Sequence, residues 1–287
     1  MTDADLPGFF HDAERASLTG QRQTIVLSRL RLLSAVVAAL GGALSWKFGR
    51  YDVWAFVSLA GFLVALFAEI LLWALHPEQK WNAGRAVAES IKSLVWRFAV
   101  AADPFPSTLP EATQNLRDKI TNVVESHGRK LALSSENPSV TPSMIELRGA
   151  SFDDRKQAYR RDRVLLQKNW YADRANRNEK WAKLWRYLLI GGEFVAIVLA
   201  LLRAMGVWDV DISGVMAAAV AGGAAWLGLK QHENLHVTYS AAARDLALLH
   251  EKLADTAEDE WPAAVANTEE AISREHSAWL ASRPSTT

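Results

Sequence analysis

Apolar residues are gathered into four blocks along the chain: Leu30–Phe48, Val53–Leu75, Tyr187–Trp208 and Ile212–Leu229. The second would run about 34 Å as a helix, enough to cross a hydrocarbon core roughly 30 Å thick. The first and last are shorter and rich in Ala and Gly. The blocks come in pairs joined by short loops, and the loop ends carry Trp and Tyr, which favour a membrane–water interface. Two spanning hairpins explain this order better than the buried helices of a soluble bundle.

Between the blocks the pattern has helical period. Val87, Ile91, Leu94, Val95 and Phe98 share one face, and Leu116, Ile120, Val123, Val124, His127 and Leu131 share another. Thr108 and Glu111 have capping-box spacing ahead of the second face. A charged helical pattern begins at Ser151, and another helix follows Leu229 to about Leu253. Asn267 and Glu270 predict the start of a last short helix. No stretch alternates with period two for long enough to predict a strand. The fold class expected is all-α: an integral membrane protein with four transmembrane helices as two hairpins, plus cytosolic amphipathic helices.

The order of parts repeats. An aromatic pair and a basic helix precede each hairpin, as "FFHDAERAS" (9–17) and "WYADRANR" (170–177). An Ala-rich amphipathic helix follows each, as "RAVAESIKSLVWR" (85–97) and "SAAARDLALLHEK" (240–252). Two tandem units are expected. The first covers residues 8–125, with spans at about 30–48 and 53–75. The second covers 150–282, with spans at about 187–208 and 212–229. Residues 126–149, holding the Pro- and Ser-rich "SSENPSVTPS", form the linker.

Charge orients the hairpins. Arg15, Arg22, Arg29 and Arg31 precede the first block; Lys80, Arg85, Lys92 and Arg97 follow the second; Arg174, Arg177, Lys180, Lys183 and Arg186 precede the third. The joining loops hold few basic residues, so the positive-inside rule places both termini and the middle segment in the cytoplasm of a multi-pass inner-membrane protein. The first 29 residues are polar and acidic, unlike a cleavable signal. With a formal net charge of zero nothing global argues for a nucleic-acid partner, and none is expected; the absence of cysteine removes disulfide and thiolate chemistry.

Three local patterns carry a family resemblance. In "YRRDRVLLQKNWYADRANRN", Tyr159, Arg163 and Gln167 fall at four-residue spacing ahead of Trp170 and Tyr171. "VTYSAAARDL", with Tyr239, follows the fourth block, and "AISREHSAW", with Trp279, closes the chain. Together they resemble the SLATT superfamily, the SMODS and SLOG-associating two-transmembrane effector domains, with one unit in each half. The resemblance implies a membrane effector of a bacterial nucleotide-second-messenger-linked antiviral or conflict system. It implies an oligomer that forms a pore or depolarises the membrane when signalled. It also implies a cytosolic nucleotide-sensor or nucleotide-synthase partner encoded nearby, and it brings no catalytic motif and no cofactor.

Several residues invite chemistry. "HENLH" matches the helical zinc-protease pattern: His232 and His236 share a face and Glu233 could activate a water. The other reading is a polar helix leaving the membrane, and the third ligand has no distinguishing pattern. Glu69 and Glu193 each lie six residues inside an apolar block, about 9 Å from its cytosolic end. Intramembrane carboxylates face a bundle interior or a water path. They read either as a ring at a pore mouth or as groups that pair with a nearby Arg or Lys or snorkel to the headgroups. Ser34, Ala38 and Gly42, and again Gly214, Ala218 and Gly222, recur every four residues as close-packing faces within the chain or between copies. Trp170, Tyr171 and Trp279 read as packing anchors rather than ligand-stacking groups. The function expected is a non-enzymatic, self-associating effector in the lipid bilayer. The alternatives are a zinc membrane protease using His232, Glu233 and His236, and a non-catalytic scaffold for a cytosolic partner.

Overall fold

The computed structural model describes residues 1–105, 108–127, 131, 133, 138–207 and 210–281, with side chains for all of these except 127 and 274–281. The chain is all-α. Its helices are α1 (Gly8–Ala43), α2 (Val53–Leu75), α3 (Pro77–Ala99), α4 (Leu109–His127), α5 (Pro142–Gly149), α6 (Phe152–Ala158), α7 (Leu166–Ala204), α8 (Ile212–Lys230), α9 (His232–Asp255) and α10 (Trp261–Ala281). A π-helical segment, Tyr159–Leu165, joins α6 to α7, so Phe152–Ala204 is a continuous helical stretch of 53 residues. Among the described residues four helices are long and apolar enough to cross a membrane: α1, α2, the α6–α7 stretch, and α8 with its continuation in α9.

The first span departs from its hydropathy block. The block extends to Phe48, but α1 stops at Ala43, and Lys47–Phe48 (β1) pairs antiparallel with Tyr51–Asp52 (β2) around Gly49, whose φ is 63°. Asp52 draws the chain out of the helix. Its carboxylate accepts from the Ser45 hydroxyl at 2.6 Å and from the backbone N–H groups of Trp46 at 3.3 Å and Trp54 at 3.0 Å. At its other end α1 takes in the basic N-terminal segment, so span and basic flank belong to one helix.

The last helix begins at Trp261, not at Asn267. Trp261 and Val265 are fully buried, and this apolar anchoring extends the helix N-terminally past the capping signal. The segment 126–149, read as a linker, contains α5, whose Met144 is completely buried. The side chains of His127 and Trp279, and residues 106–107, 134–137, 208–209 and 282–287, lie outside the described ones.

The compact units cut across the tandem halves. One unit gathers the hairpins of both halves, Gln21–Pro77 and Arg177–Asn234; the other gathers the remaining helices, Met1–Gly20, Glu78–Asn176 and Leu235–Thr287. The second unit contains both hydrophobic cores. One core joins Leu6 and Phe10 to Val87, Ile91, Val95 and Phe98 of α3, Leu116 and Ile120 of α4, and Met144 of α5. The other joins Trp96, Tyr159, Val164, Tyr171, Tyr239, Leu246, Leu253, Trp261 and Val265. This is ordinary burial of apolar area from water.

The hairpin unit is built the opposite way. Its large apolar side chains face outward: Phe56, Phe62, Leu66, Phe67 and Trp73 on α2, and Leu188, Ile190, Phe194, Ile197 and Leu201 on α7. Its buried positions on α1 are small or polar: Thr24, Ser28, Ser34, Ala38 and Gly41. Lipid tails are as apolar as leucine, so helices there gain little by hiding large side chains and associate by close approach of small ones.

Candidate functional site

The first hairpin closes on glycine contacts. A Cβ at Gly61 would lie 2.8 Å from the Ser34 carbonyl oxygen and 2.9 Å from the Ala38 nitrogen, and a Cβ at Gly41 would lie 2.5 Å from the Ser58 nitrogen. The Ser58 hydroxyl donates to the Ala38 carbonyl at 2.9 Å. Ser34 and Ala38 are therefore at the contact. Gly42 is exposed, and a Cβ there would meet only the Ser58 Oγ at 3.9 Å; its neighbour Gly41 makes the close approach. In the second hairpin the approach is looser. A Cβ at Gly192 would meet the end of Val220 at 2.9 Å, and one at Gly223 the end of Leu189 at 3.1 Å. Gly222 faces Val36 of α1 at 3.6 Å, Gly214 lies over the Asp211 carboxylate, and Ala218 is half-buried.

The two carboxylates within the apolar blocks are held differently. Glu69 on α2 accepts from the Arg31 Nη1 of α1, an ion pair across the first hairpin. Glu193 on α7 is exposed, and no hydrogen bond or ion pair joins it to any described residue. It lies one position after Gly192 and three before Ala196, both half-buried.

Each second span begins on an aspartate cap. Asp52 caps α2, and Asp211 caps α8, accepting from the Gly214 N–H at 3.0 Å and the Ser213 hydroxyl at 2.7 Å. Arg203, in the last turn of α7, pairs with Asp211 at 2.5 Å. Hydrogen bonds from Ser213, Arg203 and the Gly214 N–H hold the Asp211 carboxyl down at about 2, and the Ser45 hydroxyl leads in lowering that of Asp52. An anion at each N-terminus also meets the positive end of the helix dipole. Each second span ends on a left-handed residue that is not glycine: His76 with φ 41° and Gln231 with φ 51°. Caps and breaks recur at matching places in the two halves.

The HENLH residues are held one by one. His232 Nδ1 meets the Asn178 Oδ1 at 2.7 Å and its ring stacks on Trp181, with 6.4 Å between centroids. Burial, with Lys230 adding to it, holds the His232 imidazole below its usual range. His236 Nδ1 meets the Ala175 carbonyl at 3.1 Å. Glu233, the base that a protease would need, accepts from Arg186 Nη2 at 2.9 Å. Among the described residues no group of three or more His, Asp or Glu stands together to hold a metal.

The positions near "YRRDRVLLQKNWY" come together in the other unit. Arg163 and Tyr159, both on the π segment, converge on Glu269 of α10. Arg163 Nε donates to Oε1 at 2.9 Å, Arg163 Nη2 to Oε2 at 2.8 Å, and the Tyr159 hydroxyl to Oε1 at 3.0 Å. Burial opposes the Arg163 charge, but the Glu269 carboxylate outweighs it and raises the pKa. Burial and Glu269 together push the Tyr159 phenol well above its usual range. Trp96 and Trp261 pack edge-on against Tyr159, and the Trp261 indole donates to the Val100 carbonyl at 3.1 Å. Gln167 is half-buried. Tyr171 and Tyr239 are buried against each other, and the partly exposed Trp170 meets both edge-on with Arg174 over its face. Tyr159, Tyr171, Tyr239 and Trp261 all belong to one hydrophobic core of that unit.

Two family models match the chain. Residues 7–156, just over half of it, match SMODS and SLOG-associating 2TM effector domain 3, and residues 159–279 match SMODS and SLOG-associating 2TM effector domain 1. The chain belongs to the SLATT family. No curated protein and no solved structure matches it. This SLATT chain is a membrane protein with two effector domains in tandem, each contributing one hairpin of the membrane unit. The Arg163 and Tyr159 partner, Glu269, and the Glu69 partner, Arg31, carry no local signal in the sequence. The two capping aspartates do, since each directly precedes an apolar block.

Proposed function

We propose that this SLATT chain is a non-enzymatic effector of a nucleotide-second-messenger-linked defence system, which self-associates in the bacterial inner membrane and opens a cation-favouring path when signalled. The observation that carries the reading is Glu193: a carboxylate exposed on a spanning helix, among Ile190, Phe194 and Ile197, with no partner among the described residues. A lone charge facing lipid is costly, so such groups face a protein neighbour or a water-filled path. A ring of them favours cations. The basic flanks support cytoplasmic termini, which leaves the helices outside the spans in reach of a cytosolic nucleotide sensor or synthase. Signalling is then a population shift: the partner binds the open arrangement more tightly than the closed one.

The test is ion flux from liposomes containing the purified full chain. Potassium efflux should exceed chloride efflux, and Glu193→Gln should reduce that preference. Equal potassium and chloride fluxes, or a preference untouched by Glu193→Gln, would refute the pore. Silence at every protein-to-lipid ratio would leave a scaffold for a cytosolic partner.

A further inference from the structure

We propose that Glu193 is completed by a second copy of this chain, whose Arg31 guanidinium bridges its own Glu69 and the neighbour's Glu193. The inference rests on the self-associating reading above and names the contact it needs.

A donor must reach Glu193 inside the hydrocarbon region. The carboxylate lies six residues from the basic-flanked end of its apolar block, about 9 Å deep, beyond what a short glutamate side chain readily snorkels. Of the cations of the membrane unit at that side, Arg29, Arg31, Arg186 and Lys230 lie within one residue of the end of an apolar block. Arg29 and Lys230 both lie over the Trp226 ring, at 4.9 and 5.0 Å from its centroid, and Arg186 is engaged by Glu233 at 2.9 Å. Arg31 remains. Its side chain is 41% exposed, and its bond to Glu69 uses Nη1 alone, leaving further guanidinium donors in a fixed fork. Glu69 also lies six residues from the basic end of its block, the same depth as Glu193. A guanidinium that reaches Glu69 in one copy is therefore at the depth of Glu193 in any copy that shares its orientation.

The flanking surfaces fit. Around Arg31, α1 exposes Leu30, Leu33 and Val37; around Glu193, α7 exposes Ile190 and Ile197. An α1 face meeting a different α7 face is a head-to-tail contact, which closes into a ring when the rotation allows. One guanidinium to two carboxylates leaves each copy net negative at that depth.

The chain contains no cysteine, so paired cysteines report the contact cleanly. Leu33→Cys and Ile190→Cys lie at matching depth on exposed positions and leave both charges intact. The full-length single variants, carrying different tags, are co-expressed and oxidised in membranes. The expected result is a mixed disulfide dimer that disappears when Glu193→Gln is added to the Ile190→Cys chain. A doubly substituted chain that cross-links only internally would overturn the proposal, as would cross-linking only between two Ile190→Cys copies, or a mixed dimer indifferent to Glu193→Gln. Liposome flux is read separately. Mixed dimers without flux uphold the pairing and remove the pore, whereas flux without mixed dimers overturns the pairing and keeps the effector reading.

Discussion

Arg163 and Glu269 meet through two parallel hydrogen bonds, at 2.9 and 2.8 Å, with both side chains almost completely excluded from solvent. The pair ties the π segment to α10 within the unit that holds the hydrophobic cores. Two charges removed from water are stable only while each satisfies the other. The Tyr159 hydroxyl supplies a third donor to the same carboxylate.

Removing one partner should therefore be worse than removing both. Glu269→Ala is expected to destabilise the unit by about 3–5 kcal/mol, because it strands the Arg163 charge. Arg163→Met combined with Glu269→Leu should recover much of that loss. Thermal melts of the full chain in detergent check this; a double variant as unstable as the sum of the singles would show that the pair acts independently of its burial.

The first hairpin should distinguish neighbouring glycines. Gly61→Ala forces a methyl to within 3 Å of the Ser34 and Ala38 backbone, and overpacking of this kind costs about 1–3 kcal/mol. Gly42→Ala, with its nearest neighbour at 3.9 Å, should be neutral. Melting temperatures of the two variants should separate. Equal values would place the α1–α2 contact elsewhere.

Low pH should weaken the second hairpin through its cap. The folded Asp211 carboxyl is held at about 2, below its ordinary 3.8. Its contribution is thus present above the ordinary value and is lost as pH falls through the folded one. The melting temperature of Asp211→Asn should lie below wild type at pH 5, and the gap should close towards pH 2. A gap that stays constant across this range would mean that the carboxylate charge plays no part.

The histidines provide a metal test. His232→Ala removes the Asn178 hydrogen bond and the Trp181 stack, so it should lower the melting temperature without changing the metal content of the purified chain. Stoichiometric zinc that His232→Ala abolishes would restore the protease reading.

Much of the fold was legible because membrane insertion leaves a strong trace. Twenty-odd apolar residues between basic flanks, twice paired, announce two hairpins whatever their packing. The helical faces of α3 and α4 were legible for a related reason: Val87, Ile91, Val95 and Phe98, then Leu116 and Ile120, bury one stripe each and so repeat at helical period. Boundaries were less legible. Asp52 ends the first span early by gathering donors from both sides of a turn, and Trp261 extends α10 by burying itself in a core assembled from distant segments.

Sequence alone determined which segments are apolar, that they recur in two halves, and to which family those halves belong, because each of these is a property of neighbours along the chain. Only the tertiary structure decided that the compact units recombine those halves, with hairpins grouped in one and the remaining helices in the other. It alone paired Arg31 with Glu69 and Arg163 with Glu269 while leaving Glu193 exposed. The partners lie 38 and 106 positions apart, and a charge carries no local signal of which distant group will meet it.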